Sequence, residues 1–213
     1  LTSTQVQGLS GSQLRSLSSA QVVALEAADL EALSSAQLQS IDGTDLAALS
    51  TSRLAELSSG RFSQLSTSQV AALKTSQIQS LDTVRFTALT AGRLSSLGSA
   101  QVGALSSASF SSLGTAPLLS LTNVQLGGLV AGQAALLNTS SINSLQSIGV
   151  QALSGALIGG LGTPQVAALS SSVVSALTLK QLASLSTDEV ASLSSQQLPS
   201  MSGAQLNSLN SSQ

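Results

Sequence analysis

An eight-residue repeat holds its register through the whole chain. Counting from Leu1 in steps of eight meets Leu at every stop through Leu209, except for Ile41 and Met201. We call each unit an octad and number its positions 1 to 8 from that residue. A period this short and regular predicts a repetitive fold in which each unit packs against its neighbours, rather than an ordinary globular domain.

A second apolar position lies three residues before the next Leu, at position 6 of every complete octad. A strand would place its buried residues two apart, whereas a spacing of three puts both side chains on one face of a short helix. Positions 1 and 6 are therefore predicted to form a core ladder. Its clearest members are Leu65, Val70, Leu73, Ile78, Leu81, Phe86 and Leu89.

Each octad also carries a signal for the start of a helix. Position 2 is usually Ser or Thr and position 5 is often Gln, which is the spacing of a capping box. The clearest capping pairs are Ser18 with Gln21, Ser34 with Gln37, and Ser66 with Gln69. Helices of six or seven residues are too short to be stable alone in water, so they must stack on one another.

The predicted fold is an all-α solenoid with one very short helix per octad. Positions 5 and 8 alternate weakly between successive octads, which favours two octads, or sixteen residues, per turn. Residues 1–213 are expected to form a single continuous solenoid, as a segment of a longer protein, with a local break at Pro199. The alternative is a β-solenoid, which would need flat rows of Thr, and Thr occurs only patchily at position 3.

The residue types present argue against an enzyme. The chain has no His and no Cys, so the commonest general base and the usual transition-metal ligands are missing. Neither Lys74 nor Lys180 lies in a Ser-x-x-Lys motif that could activate a serine. We therefore expect no catalytic residues and no cofactor.

Charge is sparse and unevenly placed. The net charge of −2 does not indicate the basic surface that binds nucleic acid. No apolar run is long enough for a membrane-spanning helix. Glu26, Asp29, Asp42 and Asp45 form an acidic group, which is a weak candidate for a cation site; a solvated charged face is the favoured interpretation. With sixteen residues per turn, Asp45 would lie next to Arg61 and could pair with it.

The segment from Leu94 through Leu179 contains no Asp, Glu, Lys or Arg. Interspersed charge normally keeps soluble surfaces apart, so this segment is either a face for self-packing or the result of drift in a tolerant repeat. The octads at either end do not look like polar capping repeats, so open apolar ends could continue into further repeats or another copy.

Two neighbouring octads resemble a known group of proteins. Thr67-x-Gln69-Val70-x-x-Leu73 and Thr75-x-Gln77-Ile78-x-x-Leu81 are similar to the T-x-x-Q-[VI]-x-x-L octads of very large, repetitive bacterial secreted and cell-surface proteins. This resemblance implies an extracellular or cell-surface location and a structural or adhesive role.

Two functional hypotheses follow. The first is a structural protein that forms or extends a filament, sheath or surface layer and associates with itself, end to end and laterally. The alternative is a rigid stalk or binding arm of a bacterial adhesin, with positions 5 and 7 contacting a surface receptor or glycan.

Overall fold

The computed structural model describes residues 2–89, 91–112, 119–210 and 213. Within these ranges the chain forms short α-helices and one 3-10 helix, and no strand is present. The predicted all-α solenoid of short helices is confirmed, and the β-solenoid alternative is wrong.

The α-helices have four to six residues each. In chain order they are α1 (Ser3–Gln7), α2 (Gly11–Arg15), α3 (Ser19–Val23), α4 (Ala27–Ala32), α5 (Ser35–Ser40), α6 (Gly43–Leu46), α7 (Thr51–Glu56), α8 (Ser59–Phe62), α9 (Thr67–Ala72), α10 (Thr75–Gln79), α11 (Thr83–Thr87), α12 (Ala91–Leu94), α13 (Ser99–Gly103), α14 (Ser107–Ser111), α15 (Asn123–Gly127), α16 (Ala131–Ala134), α17 (Thr139–Asn143), α18 (Ser147–Ala152), α19 (Gly155–Ile158), α20 (Thr163–Ala167), α21 (Ser171–Ala176), α22 (Leu179–Leu182), α23 (Thr187–Ala191) and, after the 3-10 helix (Leu198–Ser200), α24 (Gly203–Ser208).

The octad determines where each helix begins and ends. Position 2 is the N-cap and position 3 the first helical residue, as at Ser34 and Ser35 in α5. Positions 1 and 2 are both extended at the corner before α5, with ψ of 147° at Leu33 and 162° at Ser34. The octad that contains Pro199 forms a 3-10 helix instead, because proline has no backbone N–H to donate and disrupts the preceding turn of an α-helix. The predicted break is confirmed.

Helices that are three octads apart stack on one another. In the first part of the chain α1 packs against α4, α2 against α5 and α3 against α6; later, α15 packs against α18 and α18 against α21. Three octads therefore make one turn. The prediction of two octads per turn is wrong. Each octad contributes one extended corner, and the chain passes three such corners before it lies above its starting helix.

Positions 1 and 6 line the inside of the turns. Position 6 is buried at every described octad from Val6 to Val190. The seven predicted ladder residues Leu65, Val70, Leu73, Ile78, Leu81, Phe86 and Leu89 are all at most 4% exposed. Each such side chain contributes about 1.5–3 kcal/mol on burial, and this burial stabilises helices that have few hydrogen bonds of their own.

Some neighbouring turns approach so closely that only glycine fits between them. A Cβ atom added at Gly43 would lie 2.8 Å from the Cβ of Ala72, and one added at Gly159 would overlap the carbonyl oxygen of Ser184. In both cases the contact is with a helix or corner of the next turn. Small residues are therefore needed where two stacked helices touch.

The chain divides into two compact units, Leu1–Ser112 and Leu113–Gln213. The same three-octad stacking occurs within each unit. The single continuous solenoid over residues 1–213 stays a prediction.

Candidate functional site

The four acidic residues considered as a cation site are divided between two sides of the turn. Glu26 and Asp29 belong to α4 and its N-cap, and Asp42 and Asp45 to α6 and its N-cap. Helix α4 stacks on α1 and α7, whereas α6 stacks on α3 and α9. Across the described ranges, no three His, Cys, Asp or Glu side chains come together in a group that could hold a metal ion. A turn of three octads places these two octads on different sides, so the four carboxylates do not gather in one place.

Two of these carboxylates bind serine hydroxyls of the preceding turn. The Ser3 hydroxyl donates to Oδ1 of Asp29 at 2.7 Å, and the Glu26 amide donates to Oδ2 at 3.0 Å. The Ser19 hydroxyl donates to Oδ1 of Asp45 at 2.5 Å. The bond from Ser3, and after it the bond from the Glu26 amide, lowers the pKa of Asp29, while burial acts in the opposite direction. Both carboxylates thus join neighbouring turns.

Arg61 does not pair with Asp45 but with Glu31. Its Nε lies 3.4 Å from Oε2 of Glu31, and its guanidinium also donates to the Glu31 carbonyl oxygen. Glu31 in turn accepts a bond from the Ser58 amide at 2.7 Å. The predicted pair was wrong, because the residue of the preceding turn that Arg61 contacts lies 30 positions earlier rather than sixteen.

The three predicted capping pairs lie at the N-termini of α3, α5 and α9. In α9 the Ser66 hydroxyl accepts from the Gln69 amide at 3.2 Å, and Oε1 of Gln69 accepts from the Ser66 amide at 2.9 Å. These reciprocal bonds satisfy two amides that a helix N-terminus would otherwise leave without a partner. The same two bonds join Ser18 with Gln21, and Ser34 with Gln37.

The glutamine at position 5 has a second role, which the sequence analysis did not predict. The Nε2 atom of Gln69 donates to the carbonyl oxygens of Leu38 and Ile41, both at 2.8 Å. These carbonyls lie at the C-terminal end of α5, where a helix leaves carbonyl groups unpaired. One side chain therefore closes the N-terminus of its own helix and the C-terminus of a helix in the preceding turn. We call this arrangement the position-5 clamp.

The position-5 clamp recurs in both units with nearly constant spacing. Each glutamine donor reaches a carbonyl oxygen 28 positions earlier and at least one more that is 30 or 31 positions earlier. Glutamines that donate in this way are Gln37, Gln69, Gln77 and Gln101 in the first unit, and Gln165, Gln181, Gln197, Gln205 and Gln213 in the second. Gln69, Gln77 and Gln181 are at most 2% exposed. The expectation that position 5 forms an outer binding face is wrong for these buried members.

Other residues at position 5 keep part of the arrangement. The Arg85 guanidinium donates to the Leu57 carbonyl at 2.7 Å, and the Ser109 hydroxyl donates to the Leu81 carbonyl at 3.1 Å. Both acceptors lie 28 positions earlier. Glu189 accepts the bond from its own N-cap amide at 2.7 Å, but its side chain lacks the N–H group with which glutamine donates. Glu189 therefore caps its helix without clamping the preceding turn.

The three glutamines of the first turn form only the capping half of the clamp. Gln5, Gln13 and Gln21 accept bonds from their own N-cap amides at 2.8 to 2.9 Å. Their side chains are exposed, and their Nε2 atoms donate no hydrogen bond to any residue within the described ranges. They hold the same helix position as the buried members, with no preceding turn among the described residues.

One groove in the second unit has exposed apolar side chains in its lining and beside it. Val124 and Ile148 hold position 4 of stacked octads and are 73% and 66% exposed. Leu119 and Leu145 line the adjoining groove, which has a volume of about 480 Å³. Gly149 holds position 5 there, so this octad has no side chain to form a clamp. The groove and its apolar rim lie within the charge-free segment.

Each helix of the described residues is too short or too polar to span a lipid bilayer.

A family model described as the ALTTAQ repeat matches residues 22–59, or 38 of the 213 residues. The matched region includes Ala32-Leu33-Ser34-Ser35-Ala36-Gln37, which differs from that name only in having Ser for Thr. No curated protein matches the chain. The family match supports a repeat protein, in agreement with the octads and the stacked helices.

Proposed function

We propose that the chain is a structural repeat protein that forms or extends an extracellular filament, sheath or surface layer. The observation that carries this proposal is the position-5 clamp, because similar bonds join successive turns in both units. The pattern can be repeated for any number of turns, since each turn needs only the one before it. A protein built in this way is suited to extension rather than to shaping one unique site.

Self-association is the partner interaction that we propose for this role, both end to end and laterally. Between Leu94 and Leu179 no like charges oppose contact between copies. Val124 and Ile148 expose apolar side chains in this segment, and exposed apolar patches commonly mark association surfaces. Lateral packing through this segment would bury these side chains.

The proposed role is non-enzymatic and lies outside the cell or on its surface. The absence of His and Cys supports the first part. The resemblance of the octads at Thr67 and Thr75 to those of bacterial secreted and cell-surface proteins supports the second. Localising the protein by antibody labelling of intact and permeabilised cells tests this part directly. Signal that requires permeabilisation would contradict it.

A second candidate is a rigid stalk or binding arm of an adhesin. A groove of about 400 Å³ in the first unit favours it, because Arg53 and Lys74 line this groove together with the hydroxyl-bearing residues Ser50, Thr51 and Ser76. Such a lining could contact the hydroxyl and carboxylate groups of a glycan. The candidate requires this groove, or the outer position 7, to supply the binding surface.

Electron microscopy of the purified protein over a concentration series tests the structural role. We expect uniform filaments or layers that become more abundant with concentration, while far-ultraviolet circular dichroism of the same samples stays helical. The double variant Val124→Ser and Ile148→Ser tests lateral packing and should give thinner assemblies than the wild type. Isolated helical particles at every concentration would contradict the proposal and favour the binding arm.

A further inference from the structure

We infer that Asn138 in the second unit is a site of N-linked glycosylation. Asn138-Thr139-Ser140 matches the acceptor pattern Asn-x-Ser/Thr, in which x is not proline. The pattern marks exposed segments of secreted proteins, so the inference rests on the proposed location outside the cell or on its surface. The second match, Asn210-Ser211-Ser212, includes residues outside the described ranges and is no part of the inference.

The side chain of Asn138 is held by its oxygen atom. Asn138 is the N-cap of α17, and its Oδ1 accepts bonds from the Ser141 amide at 2.7 Å, the Ser141 hydroxyl at 2.7 Å and the Ser140 hydroxyl at 2.8 Å. A backbone amide only donates, so the atom that faces the start of the helix must be the oxygen. The Nδ2 atom is on the other branch of the planar carboxamide and points away from these donors.

The Nδ2 atom of Asn138 is free for reaction. Asn138 is exposed, and its Nδ2 donates no hydrogen bond to any residue of the described ranges. The Nδ2 atom of Asn143, by contrast, donates to the Ala168 carbonyl at 3.0 Å. Of these two asparagines, the one in the acceptor pattern is therefore the one with an unengaged amide nitrogen.

The next turn leaves space beside Asn138. Gly162 holds the same octad position one turn later, and Gln165, which accepts from the Gly162 amide at 2.9 Å, donates to the Leu137 carbonyl at 2.7 Å. This bond brings the N-cap of the next turn close to the corner before α17. A Cβ atom at Gly162 would meet only Pro164 and Gln165 within 4 Å, so no side chain fills this space.

The reaction is a glycosyl transfer from a sugar diphosphate. The bond between the anomeric carbon and the diphosphate oxygen breaks, and a bond between that carbon and Nδ2 forms. The diphosphate leaves with the electron pair, and one Nδ2 proton passes to a base of the transferring enzyme. The product keeps Oδ1 and one N–H, so all three bonds that Oδ1 accepts can persist and the modified residue still caps α17.

A glycan at Asn138 would hydrate a segment that has no charge of its own. Asn138 lies between Leu94 and Leu179, and a bulky, hydrophilic sugar would supply the polar surface that charged side chains normally provide. Val124 and Ile148 belong to α15 and α18, which stack on each other, whereas Asn138 begins α17. Three octads per turn place α17 on a different side, so the glycan would leave the proposed apolar association surface uncovered.

Mass spectrometry of the protein purified from the cells that produce it tests the inference. Trypsin cannot cut between Leu94 and Leu179, where the chain has no Lys or Arg, so chymotrypsin is used to cleave after leucines such as Leu137 and Leu145. We expect the peptide that contains Asn138 to carry the mass of a sugar, and fragment ions to place that sugar on Asn138. An unmodified peptide would overturn the inference.

Two variants made in the same cells separate N-linkage from a sugar on a neighbouring hydroxyl. Ser140→Ala removes the hydroxyl that the acceptor pattern requires and should lose the sugar. Thr139→Ala is the matched control, because it removes the adjacent hydroxyl but keeps the pattern, and it should retain the sugar. Mild alkali, which releases sugars from serine and threonine but not from asparagine, should leave the modification in place. A sugar that persists in Ser140→Ala, or that alkali releases, would overturn the inference.

Transfer to the unmodified protein identifies the source of the sugar diphosphate. The protein is produced in a host without glycosyl transfer and incubated with uridine diphosphate glucose and a soluble extract of the native cells, or with the membranes of those cells alone. Sugar on Asn138 in the soluble arm indicates a nucleotide-linked donor, and sugar in the membrane arm indicates a lipid-linked donor. Transfer in neither arm would overturn the inference.

Localisation separates this inference from the proposed function. Antibody labelling of intact cells, together with an unmodified Asn138, would overturn the glycosylation site and leave the proposed surface role standing. Labelling that requires permeabilisation, together with sugar on Asn138, would support the site and contradict the proposed location.

Discussion

Replacing Gln181 by Met tests the position-5 clamp at a buried site. The Nε2 atom of Gln181 donates to the carbonyl oxygens of Val150 at 2.8 Å and Leu153 at 2.7 Å, and Oε1 accepts from the Thr178 amide at 2.8 Å. Methionine fills nearly the same space, but its thioether is only a weak acceptor and donates nothing. The substitution therefore removes the bonds with little change in packing.

The free energy lost comes from the polar groups that methionine would leave buried and unpaired. The Val150 carbonyl keeps its bond from the Leu153 amide at 3.2 Å, so the groups that lose a partner are the Leu153 carbonyl and the amide and hydroxyl of Thr178. Each such loss costs about 1–3 kcal/mol, and we expect the free energy of unfolding to fall by about 3 kcal/mol. With an m value of about 2 kcal/mol/M in urea, the midpoint should fall by about 1.5 M.

Urea unfolding followed by far-ultraviolet circular dichroism measures this shift. Gln151→Met is the matched control, because Gln151 is exposed at position 7 of α18 and takes no part in a clamp. Its free energy of unfolding should stay within about 0.5 kcal/mol of the wild type. Equal midpoints for Gln181→Met and Gln151→Met would refute the assignment of stability to the clamp.

Substitutions at Glu189, Gly159 and Asp29 test other contacts between turns. Glu189→Gln adds the missing donor at position 5, and the spacing of 28 in the other clamps predicts the Leu161 carbonyl as its acceptor, so the substitution should raise the free energy of unfolding by about 1 kcal/mol; a lower urea midpoint would contradict this. Gly159→Ala places a methyl group against a backbone carbonyl of the next turn and should lower the free energy of unfolding by about 1–3 kcal/mol. Gly132→Ala has nothing within 4 Å of the added methyl group and should stabilise α16 by up to about 1 kcal/mol. A higher thermal unfolding midpoint for Gly159→Ala than for Gly132→Ala would show that the turns are not so close. The pKa of Asp29 is lowered in the folded state, so its ionised carboxylate stabilises the fold at neutral pH, and this stabilisation is lost as the pH falls below the ordinary pKa of 3.8. The urea midpoint of the wild type should therefore fall more steeply in acid than that of Asp29→Asn.

The features that one octad determines could be predicted from the sequence. The N-cap at position 2, the first helical residue at position 3 and the buried ladder depend on residues within a single unit or its direct neighbour. Leu65 and Val70 are buried, and Ser66 and Gln69 form their reciprocal bonds, because these requirements are local. The break at Pro199 is local in the same way, since it follows from the missing amide of one residue.

The number of octads per turn could not be predicted, because all three sides of the turn use similar octads. The weak alternation at positions 5 and 8 therefore does not reflect two sides of a turn. Glutamine at position 5 also hides its longer-range role, since a capping box already accounts for Oε1 and gives no hint that Nε2 reaches a residue 28 positions earlier. One signal could have revealed the turn: Glu31 and Arg61 carry opposite charges 30 positions apart, which fits three octads per turn better than two.

Engineered disulfides measure the number of octads per turn most directly, because the chain has no cysteine of its own. A Cβ atom at Gly11 would lie 3.4 Å from the Cβ of Ser40 in the next turn, close to the ~3.5–4.5 Å that a disulfide requires. Ala32 occupies the same octad position one octad earlier and would be the neighbour of Gly11 in a two-octad turn. Under mild oxidation, the pair Gly11→Cys with Ser40→Cys should crosslink rapidly and the pair Gly11→Cys with Ala32→Cys should not. Preferential crosslinking of the second pair would contradict three octads per turn and the position-5 clamps that depend on it.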